Sequence, residues 1–249
     1  MRHVRRSLLL AFLIPCVLPA WAAAQAVATP AKPTSGAEST VTPVPRDANW
    51  MKRHEQINSR AVPGEVDLLF IGDSITQGWE GAGKAAWQKF YGPRKAMNAG
   101  IGGDRTQHVL WRLDNGNVKG ITPKVAVVMI GTNNAKPNDP ADTAAGIAAI
   151  VKKLQDTLPQ TKILLLAVFP RGATPDDVLR KKNTAVNETI AKLDDGERVF
   201  FLDIGPKFLT ADGTLEKAIM PDLLHLSPRG YEIWAESIEP KLVELLGAK

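Results

Sequence analysis

Apolar residues fall along this chain in two rhythms. Short runs at 66–71, 125–130, 162–168 and 199–203, with a briefer one at 96–99, read as buried strands. Between them, apolar positions recur at helical spacing. Asp47 caps a predicted helix whose one side carries Trp50, His54 and Ile57. Further predicted helices carry Trp87 and Phe90, then Val109, Leu110 and Leu113 within 106–113, and Ile147, Ile150, Val151 and Leu154 within 139–158. Two more span 176–193 and 228–246, the last with Pro228 in its first turn. Strands that alternate with helices, without internal repeats, predict an α/β domain built on a five-stranded parallel sheet covered on both faces.

The amino-terminal 46 residues follow neither rhythm. Arg2, Arg5 and Arg6 precede an apolar run from Leu8 to Leu18, which gives way to small residues with A-x-A sites at Ala22-Ala23-Ala24 and Ala24-Gln25-Ala26. These are the parts of a secretory signal peptide over 1–26, and the run is too short to span a bilayer. Residues 27–46, rich in Pro, Thr, Ala and Ser, have little to bury and read as a tether, so the folded domain is expected over 47–249. The expected address is secreted or periplasmic, with no stable membrane insertion once the signal is removed. Cys16, the single cysteine, would leave with the signal, so no disulfide is expected in the mature chain.

Charge changes the picture only by exclusion. The formal net charge of +5 falls to +2 without residues 1–26, which hold three arginines and no acids. No charge run or basic-aromatic stripe suggests a nucleic-acid partner.

Candidate chemistry gathers where the apolar runs stop. The first ends in Gly72-Asp73-Ser74, which delivers a hydroxyl to the carboxyl edge of the sheet. A serine needs a base to take its proton and an acid to orient that base. Of the four histidines, His3 lies in the signal, and His54 and His108 sit within amphipathic helices, where packing explains them. His225 lies in a loop between Pro221 and Pro228, with Asp222 three residues before it, so one turn brings carboxylate to imidazole. Taken alone, D-x-x-H also suits a surface pair or two metal ligands, but no HExxH motif or cysteine cluster completes a metal site.

An oxyanion needs donors fixed where negative charge develops. Three candidates stand just past strand ends: the backbone N–H of Ser74, that of Gly103, and the Asn133 side-chain amide. Two other serine and glycine patterns are excluded. Thr76 occupies the place where an α/β-hydrolase elbow needs glycine, and Arg105 stands at the third glycine of a dinucleotide fingerprint.

Ser74, Gly103, Asn133 and His225, each in its own block, make the chain resemble the SGNH (GDSL) hydrolase superfamily. Within it the chain is most similar to the catalytic alpha subunits of platelet-activating-factor acetylhydrolase and their bacterial relatives. The blocks that carry the likeness are Gly72-Asp73-Ser74, Asn98 through Leu113, Gly131-Thr132-Asn133-Asn134, Pro170-Arg171-Gly172, Lys182-Asn183 with Val186-Asn187, and Leu224-His225-Leu226-Ser227. The resemblance implies a three-layer α/β/α sandwich of flavodoxin-like type, a Ser74-His225-Asp222 triad, and neither metal nor organic cofactor. It also implies that Ile75, Thr132 and Leu224 restrict the acyl pocket, and it allows a homodimer.

Joined to the export signal, these readings point to an exported serine esterase that removes acetyl or another short acyl group from a carbohydrate hydroxyl. A phospholipid or lysophospholipid acyl hydrolase is the alternative within catalysis. A non-catalytic glycan-binding envelope protein is the alternative outside it.

Overall fold

The computed structural model describes Met1 and residues 39–247. The predicted signal peptide beyond Met1, and the predicted tether as far as residue 38, lie outside the described residues.

Five strands, β1 (Leu68–Gly72), β2 (Ala96–Gly100), β3 (Val125–Met129), β4 (Lys162–Leu166) and β5 (Val199–Leu202), form one sheet in the order β2-β1-β3-β4-β5. Every pairing is parallel. That order is the flavodoxin-like winding, with its crossover point at the carboxyl ends of the first and third strands. The predicted α/β class and strand count are those observed; several predicted strands run one to two residues past the observed ends.

Alternation within the apolar runs divides two cores. Leu69, Ile71, Ala126, Val128, Ile163 and Leu165 face one side, where they meet residues of α1 (Ala48–Arg60), α4 (Thr106–Asp114), α5 (Pro140–Thr157) and α6 (Val178–Ile190). Leu68, Phe70, Val127, Met129 and Leu164 face the other side. There they pack with α3 (Lys84–Phe90), α7 (Pro228–Leu246) and an aromatic cluster of Trp79, Tyr91, Tyr231 and Trp234. Trp234 is fully buried with ring neighbours Phe70, Trp79 and Phe169, so truncating it costs about 3–5 kcal/mol. In a parallel sheet covered on both faces, the loops at the carboxyl edge are where ligands bind. No helix among the described residues is long and apolar enough to cross a membrane.

Two local features depart from the sequence reading. The predicted helices include none directly after β1, yet Ser74 opens a short helix, α2 (Ser74–Gln77), because the Asp73 carboxylate caps it by accepting from Ile75 N at 2.9 Å. The docked chain also begins before Asp47. Thr40 Oγ1 donates to Asp142 O at 2.7 Å, Thr106 Oγ1 donates to Thr40 O at 2.8 Å, and Val44 N donates to Gln107 O at 3.3 Å. The polar composition that marked 27–46 as a tether does not register such bonds, because two of them use backbone groups that any sequence supplies and the third a single threonine hydroxyl.

Candidate active site

Ser74 reaches the carboxyl edge because β1 ends at Gly72 and the chain turns at once into α2. Glycine is required before that turn: a Cβ on Gly72 would run into the Thr76 side chain and the Met129 carbonyl. α2 is then fixed from three sides. Asn98 Nδ2 donates to Thr76 O at 3.0 Å, Tyr231 Oη donates to Ile75 O at 2.6 Å, and Gln77 Oε1 accepts from Gly102 N at 2.7 Å. The Ser74 hydroxyl thus stands on a braced step, half-buried.

His225 arrives from a loop 151 residues away. Ser74 Oγ and His225 Nε2 are 2.9 Å apart, and His225 Nδ1 lies 2.6 Å from Asp222 Oδ2. The loop is shaped by that same carboxylate, whose Oδ1 accepts from the backbone N–H groups of Leu224 at 3.0 Å and His225 at 2.7 Å. Leu223 holds a left-handed φ of 62°, a conformation that costs a non-glycine residue about 1–2 kcal/mol. It is held there by bonds from its N–H to Met220 O at 2.8 Å and from Gly172 N to its carbonyl at 2.9 Å. Burial alone would raise the Asp222 carboxyl, but the His225 ring and the two loop N–H groups together hold it below the usual carboxylate range.

The glycine-rich turn after β2 lies beside the serine. A Cβ at Gly102 would stand 3.8 Å from Ser74 Cβ. Gly103 adopts φ 76°, the left-handed geometry that favours glycine. Asn133, just past β3, donates through Nδ2 to Asp104 O at 2.9 Å and reaches Asp73 Oδ2 at 3.5 Å, which ties it to the turn and to the cap of α2. Among the described residues no acceptor takes the N–H of Ser74 or of Gly103. The three expected oxyanion donors therefore stand on neighbouring segments of one edge.

Under this floor lies a buried ionic network. Asp104 is fully buried and accepts from Trp50 Nε1 at 2.6 Å and Arg112 Nε at 2.8 Å. Arg112, 1% exposed, also donates to Ala99 O at 2.9 Å and to Gly72 O at 3.2 Å, so one guanidinium ties the ends of β1 and β2 together. Burial pushes the Asp104 carboxyl up, and Arg112 beside it opposes that push. Asp73, fully buried, is pushed up to about 7 by desolvation, with the Asp104 charge adding to the rise.

The residues expected at the acyl pocket are placed unequally. Ile75 is 1% exposed and packs in the core on the α7 side. Thr132 is buried, its hydroxyl accepting from Arg171 Nη1 at 3.2 Å, and Leu224 is half-buried in the His225 loop. His54 and His108 stand in α1 and α4, both buried. Desolvation lowers both, and His108 is pushed down to about 4 with the Arg46 charge contributing. Among the described residues no group of three His, Cys, Asp or Glu side chains is placed to hold a metal ion. Sequence reasoning missed Asp104, Arg112 and Arg46. Asp104 and Arg112 lie within the Asn98–Leu113 block that carried the family likeness but were given no role of their own, and a lone arginine ahead of α1 carries no sequence signal.

The profile of the GDSL-like lipase/acylhydrolase family matches residues 70–233, a span that contains Ser74, the glycine turn, Asn133, Asp222 and His225. The chain belongs to this family. The platelet-activating factor acetylhydrolase IB subunit alpha1 of Homo sapiens is 40% identical over 207 residues, which is 83% of this chain and 88% of that subunit. A GDSL-like lipase from Bacteroides thetaiotaomicron superposes with a TM-score of 0.65 at 21% identity, over 78% of this chain and 97% of that one. An acetylxylan esterase from Geobacillus stearothermophilus, in a catalytic-mutant form, superposes with a TM-score of 0.57 at 17% identity, over 76% and 97% of the two chains. These two structural likenesses speak for the fold. As a GDSL acylhydrolase with an acetylhydrolase relative at 40% identity, the protein is a carboxylic ester hydrolase.

Proposed function

We propose that the protein is an exported esterase that hydrolyses acetyl and other short-chain esters of carbohydrate hydroxyls through a Ser74-His225-Asp222 triad. The observation that carries this reading is the unbroken chain from Ser74 Oγ to His225 Nε2 at 2.9 Å and from His225 Nδ1 to Asp222 Oδ2 at 2.6 Å. With Asp222 ionised, the ring holds its proton on Nδ1 and leaves Nε2 to accept from the hydroxyl. As Ser74 Oγ attacks the ester carbonyl, its proton passes to Nε2. The negative charge on the carbonyl oxygen is met by the N–H groups of Ser74 and Gly103 and by Asn133 Nδ2, each worth about 3 kcal/mol in the transition state. Nε2–H then protonates the leaving alkoxide as the C–O bond breaks. Water repeats the sequence on the acyl-enzyme, giving its proton to His225 and releasing the acid.

Small acyl groups are favoured by what encloses the serine. Ile75 directly follows the nucleophile, Thr132 precedes Asn133 and half-buried Leu224 precedes His225, so in this reading each restricts the acyl pocket. The acetylhydrolase relative at 40% identity supports the same acyl size, and the amino-terminal export signal supports an extracytoplasmic glycan as acceptor. That relative also favours a second reading, an acetyl ester carried on a phospholipid.

Hydrolysis of 4-nitrophenyl acetate by the Ser74→Ala protein tests the triad; a loss on the order of 10⁴-fold or more with unchanged thermal unfolding is expected. Retained turnover would remove Ser74 as nucleophile. Faster cleavage of the decanoate than of the acetate would overturn the small-acyl reading. Release of acetate from acetylated oligosaccharides against an acetylated ether phospholipid separates the two acceptors.

A further inference from the structure

We propose that Arg46 is a positioning residue for ester hydrolysis, holding and polarising the Gly102–Gly103 peptide whose N–H receives the oxyanion. This rests on the reading of Gly103 as an oxyanion donor.

Arg46 Nη1 donates to Gly102 O at 2.8 Å. The carbonyl of Gly102 and the N–H of Gly103 are two ends of one peptide unit. A cationic donor at the oxygen draws electron density along that unit and strengthens the N–H as a donor at the far end. The tip of the guanidinium also closes against the turn: a Cβ at Gly103 would stand 3.1 Å from Nη1 and 3.2 Å from Nη2.

Orientation matters as much as polarity, because a peptide flanked by two glycines rotates with little steric resistance. The neighbouring peptides are held by others: Gly102 N donates to Gln77 Oε1 at 2.7 Å and Asp104 N donates to Ile101 O at 3.2 Å. Among the described residues, Arg46 supplies the only hydrogen bond to the Gly102–Gly103 peptide. A rotated peptide would present a carbonyl where the oxyanion forms.

The charge arithmetic favours the same role. Asp104 already pairs with the buried Arg112, and Arg46 stands 3.4 Å from Asp104 Oδ1, so it adds a second guanidinium beside the turn. Preset positive charge beside a developing oxyanion stabilises it without reorganisation. Arg46 is delivered by chain pinned on both sides, through Thr40 and Val44 before it and the Asp47 cap of α1 after it. All of this lies ahead of the family-matched span, which starts at residue 70.

Steady-state kinetics of the whole chain with 4-nitrophenyl acetate test the proposal, with Ser74→Ala measured beside the Arg46 variants. Arg46→Met, which keeps the apolar stem, should lose about 10- to 100-fold in kcat with KM within roughly twofold, since only the transition state carries the oxyanion. Arg46→Lys, a cation without the planar fork, should fall between the two. Methylguanidinium added to Arg46→Ala should restore part of kcat, while methylammonium restores less. The proposal is overturned by full kcat in Arg46→Met, by a loss confined to KM, or by a folded Arg46→Ala that methylguanidinium does not rescue. An active Ser74→Ala protein would instead bring down the triad, and with it the reading on which this inference stands. An inactive Ser74→Ala beside a fully active Arg46→Met removes only the role of Arg46.

Discussion

Two aspartates flank the Ser74–His225 pair in opposite surroundings. The Asp222 side chain is 56% exposed and takes bonds from the His225 ring and from two N–H groups of its own loop. It stays below the usual carboxylate range. Asp73, adjacent to the serine, is fully buried, has one short bond from Ile75 N, and is pushed up to about 7 by burial. An acid that must hold an imidazolium needs to remain charged, and solvent with local amides keeps it so. An acid that caps a buried turn acts through its oxygen rather than its charge. The same contrast separates the exposed loop that carries the base from the buried floor, where Asp104 and Arg112 fix the oxyanion segments.

That contrast breaks most severely at His225. His225→Ala should lower kcat for 4-nitrophenyl acetate by on the order of 10⁵-fold, with little change in thermal unfolding because the ring is solvent-facing. A loss below about 100-fold would remove His225 as the base. On the floor the damage should be to stability instead. Arg112→Met leaves Asp104 buried with only Trp50 and the longer Arg46 contact, and urea unfolding should show a loss of about 3–5 kcal/mol. A loss under about 1 kcal/mol would mean that the pair is not integral to the floor.

Asp222→Asn sharpens the local half of the comparison. It retains the loop geometry while weakening the hold on the ring tautomer, and kcat should fall by about 10²- to 10⁴-fold without loss of stability. An effect on stability larger than on rate would reassign Asp222 to shaping the loop. The smallest change in rate is expected from Asp73→Asn, whose effect is on stability. Because the folded value of Asp73 lies above its unfolded value of 3.8, its contribution to stability is complete below 3.8 and is lost as pH rises through about 7. The neutral isostere escapes that loss, so the variant should gain relative to the parent by on the order of 4 kcal/mol between about pH 4 and pH 8. Parallel stability curves for the two proteins would show that Asp73 does not titrate in this window.

The sequence by itself determined what rests on near neighbours in the chain. Apolar runs and helical spacing marked the strands and helices, and α7 (Pro228–Leu246) lies where it was predicted, because residues 3–4 apart share a helix face wherever the helix is placed. The Asp222-His225 pair was legible for the same reason, being three residues apart in one loop. The Gly72, Gly100 and Met129 strand ends put Ser74, Gly103 and Asn133 on one edge, since parallel strands all point one way. Tertiary structure alone decided the rest. Ser74 and His225 meet across 151 residues only because the final helix packs beside α3 on the sheet. Asp73 and Asp222 are the same residue type with opposite titration, because desolvation is set by whatever distant chain covers a group. Arg46 reaches the glycine turn through bonds to α4 and α5, and an isolated arginine in polar sequence gives no period by which such docking can be read.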